Sequence, residues 1–195
     1  MNLHSLNVSI RSTVKGSTLL ILNSFIFITA AILSFIISYK SIYIPLGIAF
    51  SLSSIIEALF FLQNSKSIKA WNWYLYYTLS IAIIITISYP YTHENYTTSI
   101  LGLISLCQGF LLLSLATDLR NHDSVHWAIP ARSSGLAILF SIILIAHSVF
   151  DLIPTSFIIG GVFIMIALSY ILLVSEFKKL NKHYKSIKIL SRELK

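Results

Sequence analysis

Charge and cysteine are what this chain has least of. Only 11% of its 195 residues are charged, against about 25% in an ordinary soluble domain, while 56% are apolar. So few polar groups cannot cover the surface of a soluble fold, and lipid must be the solvent for most of the chain. The single cysteine, Cys107, excludes an internal disulfide and has no companion ligands for a metal, which leaves it as a small core residue. Also missing are a glycine-rich nucleotide loop, a zinc-ligand cluster and a nucleophile accompanied by a base. No catalytic residue, cofactor site or metal site is expected, and the chain reads as non-enzymatic.

What the sequence does have is apolar length. Six stretches approach the roughly 20 residues that a spanning helix needs: 19–38, 42–62, 71–88, 99–116, 128–149 and 156–174. The strands of a membrane barrel would alternate apolar and polar residues, whereas Ile81, Ala82, Ile83, Ile84 and Ile85 are apolar on both parities. The start of the chain imitates a signal peptide, with Arg11 and Lys15 before an apolar run and Ala30, Ala31 after it. The run nevertheless continues through Ile32, Phe35 and Ile37 to the length of a span. The expected architecture is all-α: a polytopic membrane protein with six transmembrane helices arranged as three repeated hairpins (19–62, 71–116 and 128–174). A segment 1–16 precedes this 17–174 membrane domain, and an amphipathic basic helix over 175–195 follows it.

Crossing six times puts thirteen of the fourteen Lys and Arg residues on one side, with only Lys40 opposite. The positive-inside rule then places both termini and the loops 63–70 and 117–127 in the cytoplasm. The net charge of +7 reflects that bias and the basic tail, not a nucleic-acid-binding domain. Tyr39, Tyr43, Tyr89, Tyr91 and Tyr96 gather on the outer side, and Trp71, Trp73 and Trp127 at the inner entrances of spans three and five. Such belts are where amphipathic rings settle in a bilayer.

A small-residue signature recurs in every second span: Gly47 and Ser54, Gly102 and Gly109, Gly160 and Ala167. Each glycine opens an even-numbered span, and the second small residue returns to the same face two turns later. Helices in lipid associate through close packing that small residues permit, so the even spans are expected to pack around a shared centre. The hairpin count, the apolar-Gly-x6-small pattern, Gly135 on span five and the tryptophans before spans three and five resemble the HdeD-like family of six-span bacterial inner-membrane proteins. Spans one and three depart from it, offering Ala30, Ala31, Thr78 and Ala82 in place of glycine, and the loop with His93 and Glu94 is long. The resemblance implies an integral membrane protein associated with acid resistance or envelope stress. The alternative class is a small proton-coupled transporter or channel.

Few residues could carry such chemistry. Glu57 is the carboxylate deepest inside a span, where an isolated charge costs at least about 2.5 kcal/mol; Arg132, at the mouth of span five, lies at comparable depth. The two form either a structural ion pair or, with Glu57 alone titrating, a proton or ligand site. Gln108 and Asn23 can hydrogen-bond between helices, or join Glu57 in a polar pathway. Ten residues after the three glycines lie Glu57, Leu112 and Tyr170, so the copies differ most at this register. On the outer side, His93, and His147 with Asp151 at i, i+4, are candidates for a pH-responsive surface. In the tail, Phe177, Leu180, Tyr184, Ile187 and Leu194 form an apolar stripe among basic residues. It could dock on anionic lipid of the inner leaflet, pair with a second copy as a short coiled coil in a homo-oligomer, or remain solvated.

Overall fold

A computed structural model describes residues 14–37, 43–65, 68, 70, 74, 94–121, 124, 126–150 and 154–193. Among them are five helices: α1 (Ser17–Ile36), α2 (Tyr43–Asn64), α3 (Glu94–Asn121), α4 (Ala128–Phe150) and α5 (Thr155–Glu193). All five are long and apolar enough to cross a membrane. They coincide with predicted spans one, two, four, five and six. The third, 71–88, lies outside the described residues apart from Tyr74, as do Trp71 and Trp73.

These segments are helical because a backbone surrounded by lipid must satisfy its own hydrogen bonds. The many hydroxyls do not compete. Ser51, Ser54, Ser134, Ser141 and Ser169 each donate to the carbonyl four residues earlier, which satisfies a polar side chain inside the helix that carries it. Pro45 and Pro130 stand in the first turns of α2 and α4, and Pro154 directly precedes α5, where a missing N–H costs little. The outward faces carry Phe25, Ile36, Ile55, Leu62 and Phe157, each at least 60% exposed. In water such apolar coverage would drive aggregation, and in a bilayer it is the solvated surface.

The long helix α5 is the axis of the bundle and the most enclosed of the five. It packs on α1, α4 and α3, while α2 lies against α1 and α3 against α4. The most extensive interfaces, α3 with α4 and α1 with α5, join predicted hairpins to one another, and the hairpin partners α1 with α2 and α4 with α5 pack less extensively. The small residues account for this. A Cβ added at Gly102 would lie 3.0 Å from the Ile145 backbone nitrogen and 3.1 Å from the Ser141 carbonyl oxygen, and one at Gly109 would lie 3.3 Å from the Ile138 nitrogen. Both glycines thus bring α3 onto α4. Gly160 on α5 faces Ser34 and Phe35 of α1, while no described residue comes within 4 Å of a Cβ at Gly47. The signature therefore does not bring the even spans' backbones together as expected: in α3 and α5 it joins an even span to an odd one.

At the basic end of the bundle, asparagines and carboxylates tie the connections down. Asn64 accepts from the Lys15 N–H at 2.7 Å and donates to the Lys15 carbonyl at 2.8 Å, and Asn181 holds Val14 in the same two-bonded way. Asp118 accepts from the Ala70 N–H at 2.7 Å. Ser124 donates to Glu176, which also pairs with Lys179 at 2.6 Å. The Arg120 guanidinium sits 5.1 Å from the Trp127 ring centroid, within cation–π range.

Tail and last span are one helix. At 1.5 Å per residue, its 39 residues extend about 58 Å, nearly twice the hydrocarbon thickness of about 30 Å. Phe177, Leu180 and Tyr184 are buried against the bundle, and the Phe177 ring lies 6.3 Å from that of Phe60. This part of the stripe packs inside the molecule, as a continuation of the same helix. Lys178, Lys179, Lys182 and Lys185 are exposed. The side chain of Ile187 and all of Leu194 lie outside the described residues.

The glycine contacts separate two substitutions. Gly102→Ala forces α3 and α4 apart and is expected to cost about 1–3 kcal/mol. Gly47→Ala meets no described atom and is expected to be neutral, or to stabilise by up to about 1 kcal/mol through helix propensity. Thermal unfolding of both variants in detergent checks this; equal melting temperatures would contradict the assigned close approach.

Candidate functional site: a buried carboxylate among neutral donors

Glu57 sits in α2 two turns before the helix ends, and its side chain turns inward between α1, α3 and α5 with the residue only 1% exposed. One oxygen, Oε1, receives every hydrogen bond. Asn23 Nδ2 of α1 donates to it at 3.0 Å and Ser53 Oγ, one turn back on α2, at 3.4 Å. Gln108 Nε2 of α3 and the Tyr170 hydroxyl of α5 donate to the same oxygen, and Gln108 Nε2 also donates to the Tyr170 hydroxyl oxygen. Four helices meet at one carboxylate oxygen. No ion pair joins Glu57 to a cationic side chain among the described residues.

Orientation of the two amides follows from charge. A carboxylate oxygen only accepts, so Asn23 and Gln108 must turn nitrogen toward it and carbonyl oxygen away. Those two carbonyl oxygens, Glu57 Oε2 and Ser105 Oγ are buried without a hydrogen-bond partner among the described residues. Ser105 stands one turn before Gln108 on the same face of α3. The cluster thus supplies donors to one atom and leaves four buried oxygens unmatched, in a setting where an unmatched polar group costs about 1–3 kcal/mol.

Aromatic rings close the cluster on both sides along the bundle. Toward the end where α1 finishes, Phe27 lies 5.7 Å from Phe50 and 5.9 Å from Phe163, and Phe50 and Phe163 are 5.6 Å apart. Phe27 also stacks on Tyr170, with ring planes 13° apart. Toward the basic end come Leu20, Phe60 and Phe177. Beside α2, the Tyr74 hydroxyl donates to the Ser54 carbonyl at 3.1 Å. An apolar groove of about 440 Å³ between α1 and α2, lined by residues such as Phe25, Leu33, Pro45 and Leu52, does not include Glu57 in its wall. Glu57 and the four side chains that donate to it are all buried.

The structure brings Glu57, Gln108 and Asn23 together and keeps Arg132 apart. Arg132 is exposed on α4, which packs on α3 and α5 and not on the α2 face that carries Glu57. Equal depth along the membrane normal did not imply equal azimuth. Of the packing residues, Gly102, Gly109, Gly160 and Ala167 lie in the interior, while Gly47 is exposed and Ser54 is half-buried. His93 and Asp151 lie outside the described residues, as does the side chain of His147. Among the described residues no three His, Cys, Asp or Glu side chains are grouped to hold a metal. Tyr170 is the participant that inspection of spans for polar residues passes over, since a tyrosine near mid-span reads as core. Its signal in the sequence was spacing: Tyr170 follows Gly160 by ten residues as Glu57 follows Gly47, and the two side chains touch.

Comparison with protein-family profiles, with curated proteins and with solved structures found no match.

Double-mutant cycles on unfolding in detergent test the pairing. Asn23→Leu combined with Glu57→Gln is expected to show a coupling of about 0.6–2 kcal/mol, the range for interhelical hydrogen bonds in membranes. Arg132→Gln with Glu57→Gln should be additive within about 0.5 kcal/mol. The reverse ranking would restore the Glu57–Arg132 pair.

Proposed function

We propose that the chain is a non-enzymatic, multi-pass protein of a bacterial inner membrane in which Glu57 exchanges a proton, acting as a small proton-coupled transporter or channel. One observation carries the reading: a carboxyl group buried between four helices whose hydrogen-bond partners are neutral donors, with no cationic side chain paired to it among the described residues. Removing a charge from water to mid-membrane without a partner is costly, and such residues mark ion and proton pathways. A carboxyl that binds a proton removes the charge, and one that releases it to alternate sides moves the charge across. The two aromatic layers support this, because a site closed to both sides at once is the intermediate that alternating access requires.

Six crossings fit the chain path. Ala70, just beyond α2, is bonded to Asp118 near the end of α3, so α2 ends where α3 ends and α3 begins at the opposite end of the bundle. A third span over 71–88 is the connection we infer, and both termini then face the cytoplasm with the basic end. The HdeD-like pattern of glycines supports a setting in acid or envelope stress, where proton exchange inside the membrane has an evident use. The exposed lysines of the tail suit contact with anionic headgroups.

Flux measurement decides between a working site and a structural one. In liposomes with an imposed pH gradient and a trapped pH dye, the wild-type protein is expected to dissipate the gradient faster than empty vesicles. Glu57→Gln should lower that rate by about tenfold or more. Equal rates in wild type and variant, or no flux in either, would overturn the proposal.

A further inference from the structure

Gln108 touches two partners of the buried cluster with one atom. Its Nε2 donates to Glu57 Oε1 and to the Tyr170 hydroxyl oxygen, and that hydroxyl itself donates to Oε1. Donation therefore runs one way, from the α3 amide through the α5 phenol to the α2 carboxylate. The other end of the amide is idle: Gln108 Oε1 is buried without a hydrogen-bond partner among the described residues. The last torsion of a glutamine side chain is roughly two-fold, and the amide nitrogen and oxygen are close to the same size. A half-turn about it puts the carbonyl oxygen where Nε2 lies now, against the same two oxygens, and breaks no bond at the idle end.

Protonation supplies the reason to turn. A carboxylate oxygen only accepts, whereas a carboxyl group brings one donor. With a proton on Glu57 Oε1, the inward N–H of Gln108 faces a second donor, and an inward carbonyl is the complementary arrangement. We propose that Gln108 is a positioning residue for proton exchange at Glu57, turning its amide nitrogen toward the carboxylate and its carbonyl oxygen toward the protonated acid. In the acid state Glu57 Oε1–H donates to the Tyr170 oxygen, and the Tyr170 O–H donates to Gln108 Oε1. The chain keeps its members and reverses direction; no proton leaves Tyr170 or Gln108, and no helix has to move. Asn23 also leaves its carbonyl oxygen unmatched, but its Nδ2 bonds to Glu57 without a second contact among the described residues, so a turn there gains less. This inference rests on the proton exchange proposed for Glu57 and adds the group that accommodates both charge states.

The surroundings limit what else can titrate. From α5 the facing titratable group is Tyr170, and Tyr74 lies within electrostatic reach of the carboxyl. Among the described residues α1, α2 and α3 supply neutral amides and a hydroxyl: Asn23, Ser53 and Gln108. The change of charge that turns the amide is therefore that of Glu57.

Infrared titration of an isotope-labelled protein tests the turn. The chain has glutamine at two positions, Gln63 and Gln108, and Gln63 is exposed. In full-length Gln63→Asn protein in lipid, with carbon-13 placed in the glutamine side-chain carbonyl alone, the labelled band reports Gln108. Between pH 9 and pH 5 this band is expected to move to lower frequency, as an unbonded carbonyl gains a donor, with the same midpoint as the growing carboxyl band of Glu57. Glu57→Asn, which neither titrates nor carries the label, should abolish the movement; where that variant fails to fold, coincidence of the two midpoints in the parent protein decides. A carboxyl band that titrates while the glutamine band stays fixed, or moves with another midpoint, would overturn the turning amide and spare proton exchange. A glutamine movement that persists in Glu57→Asn would overturn it as well. If neither band changes, both readings are removed.

Discussion

A carboxylate cannot be carried into the apolar interior of a helix bundle unless something replaces the water it leaves. At Glu57 the replacement is a set of neutral donors drawn from all sides: an amide from α1, a hydroxyl from α2 itself, an amide from α3 and a phenol from α5. Each bond fixes the rotation of one helix about its own axis. Lipid-facing surfaces give no such instruction, because Leu and Ile are as well solvated by acyl chains whichever way they point. The polar cluster thus specifies the arrangement of the bundle in a way that its apolar residues do not.

Backbone contact is arranged by different residues. Gly102 and Gly109 let α3 approach α4, and Gly160 lets α5 approach α1 at Ser34 and Phe35. Helices α2, α3 and α5 meet through long side chains, Glu57, Gln108 and Tyr170. Packing and chemistry are divided between the two ends of one sequence register, small residues at the glycine positions and polar ones about ten residues later. Leu112, ten residues after Gly102, is fully buried and apolar, so only two of the three positions ten residues after these glycines supply polar groups.

Much of the scaffold was legible from apolar length. The predicted spans 19–38, 42–62, 99–116, 128–149 and 156–174 fall on α1 to α5 within a few residues at most ends, since a backbone in lipid has no alternative to helix. Two features were not. The tail was read as a separate amphipathic helix, yet α5 runs on without a break because nothing after Val174 stops it: no glycine or proline follows, and Phe177, Leu180 and Tyr184 find cover on the bundle. The partner of Glu57 was read as Arg132 from depth alone. Spans that are apolar nearly all round give no azimuth, so only polar residues report which faces converge, and Asn23 and Gln108 were recognisable as polar but not as neighbours.

The central claim is that the buried Glu57 binds and releases a proton, and infrared difference spectroscopy of the protein in lipid tests it most directly. Between pH 9 and pH 5 the account predicts that a carboxylate band is lost as a carboxyl C=O band grows, and that this pair of bands vanishes in Glu57→Gln. A difference spectrum that Glu57→Gln leaves unchanged would show a carboxyl locked in one state, and would contradict the account.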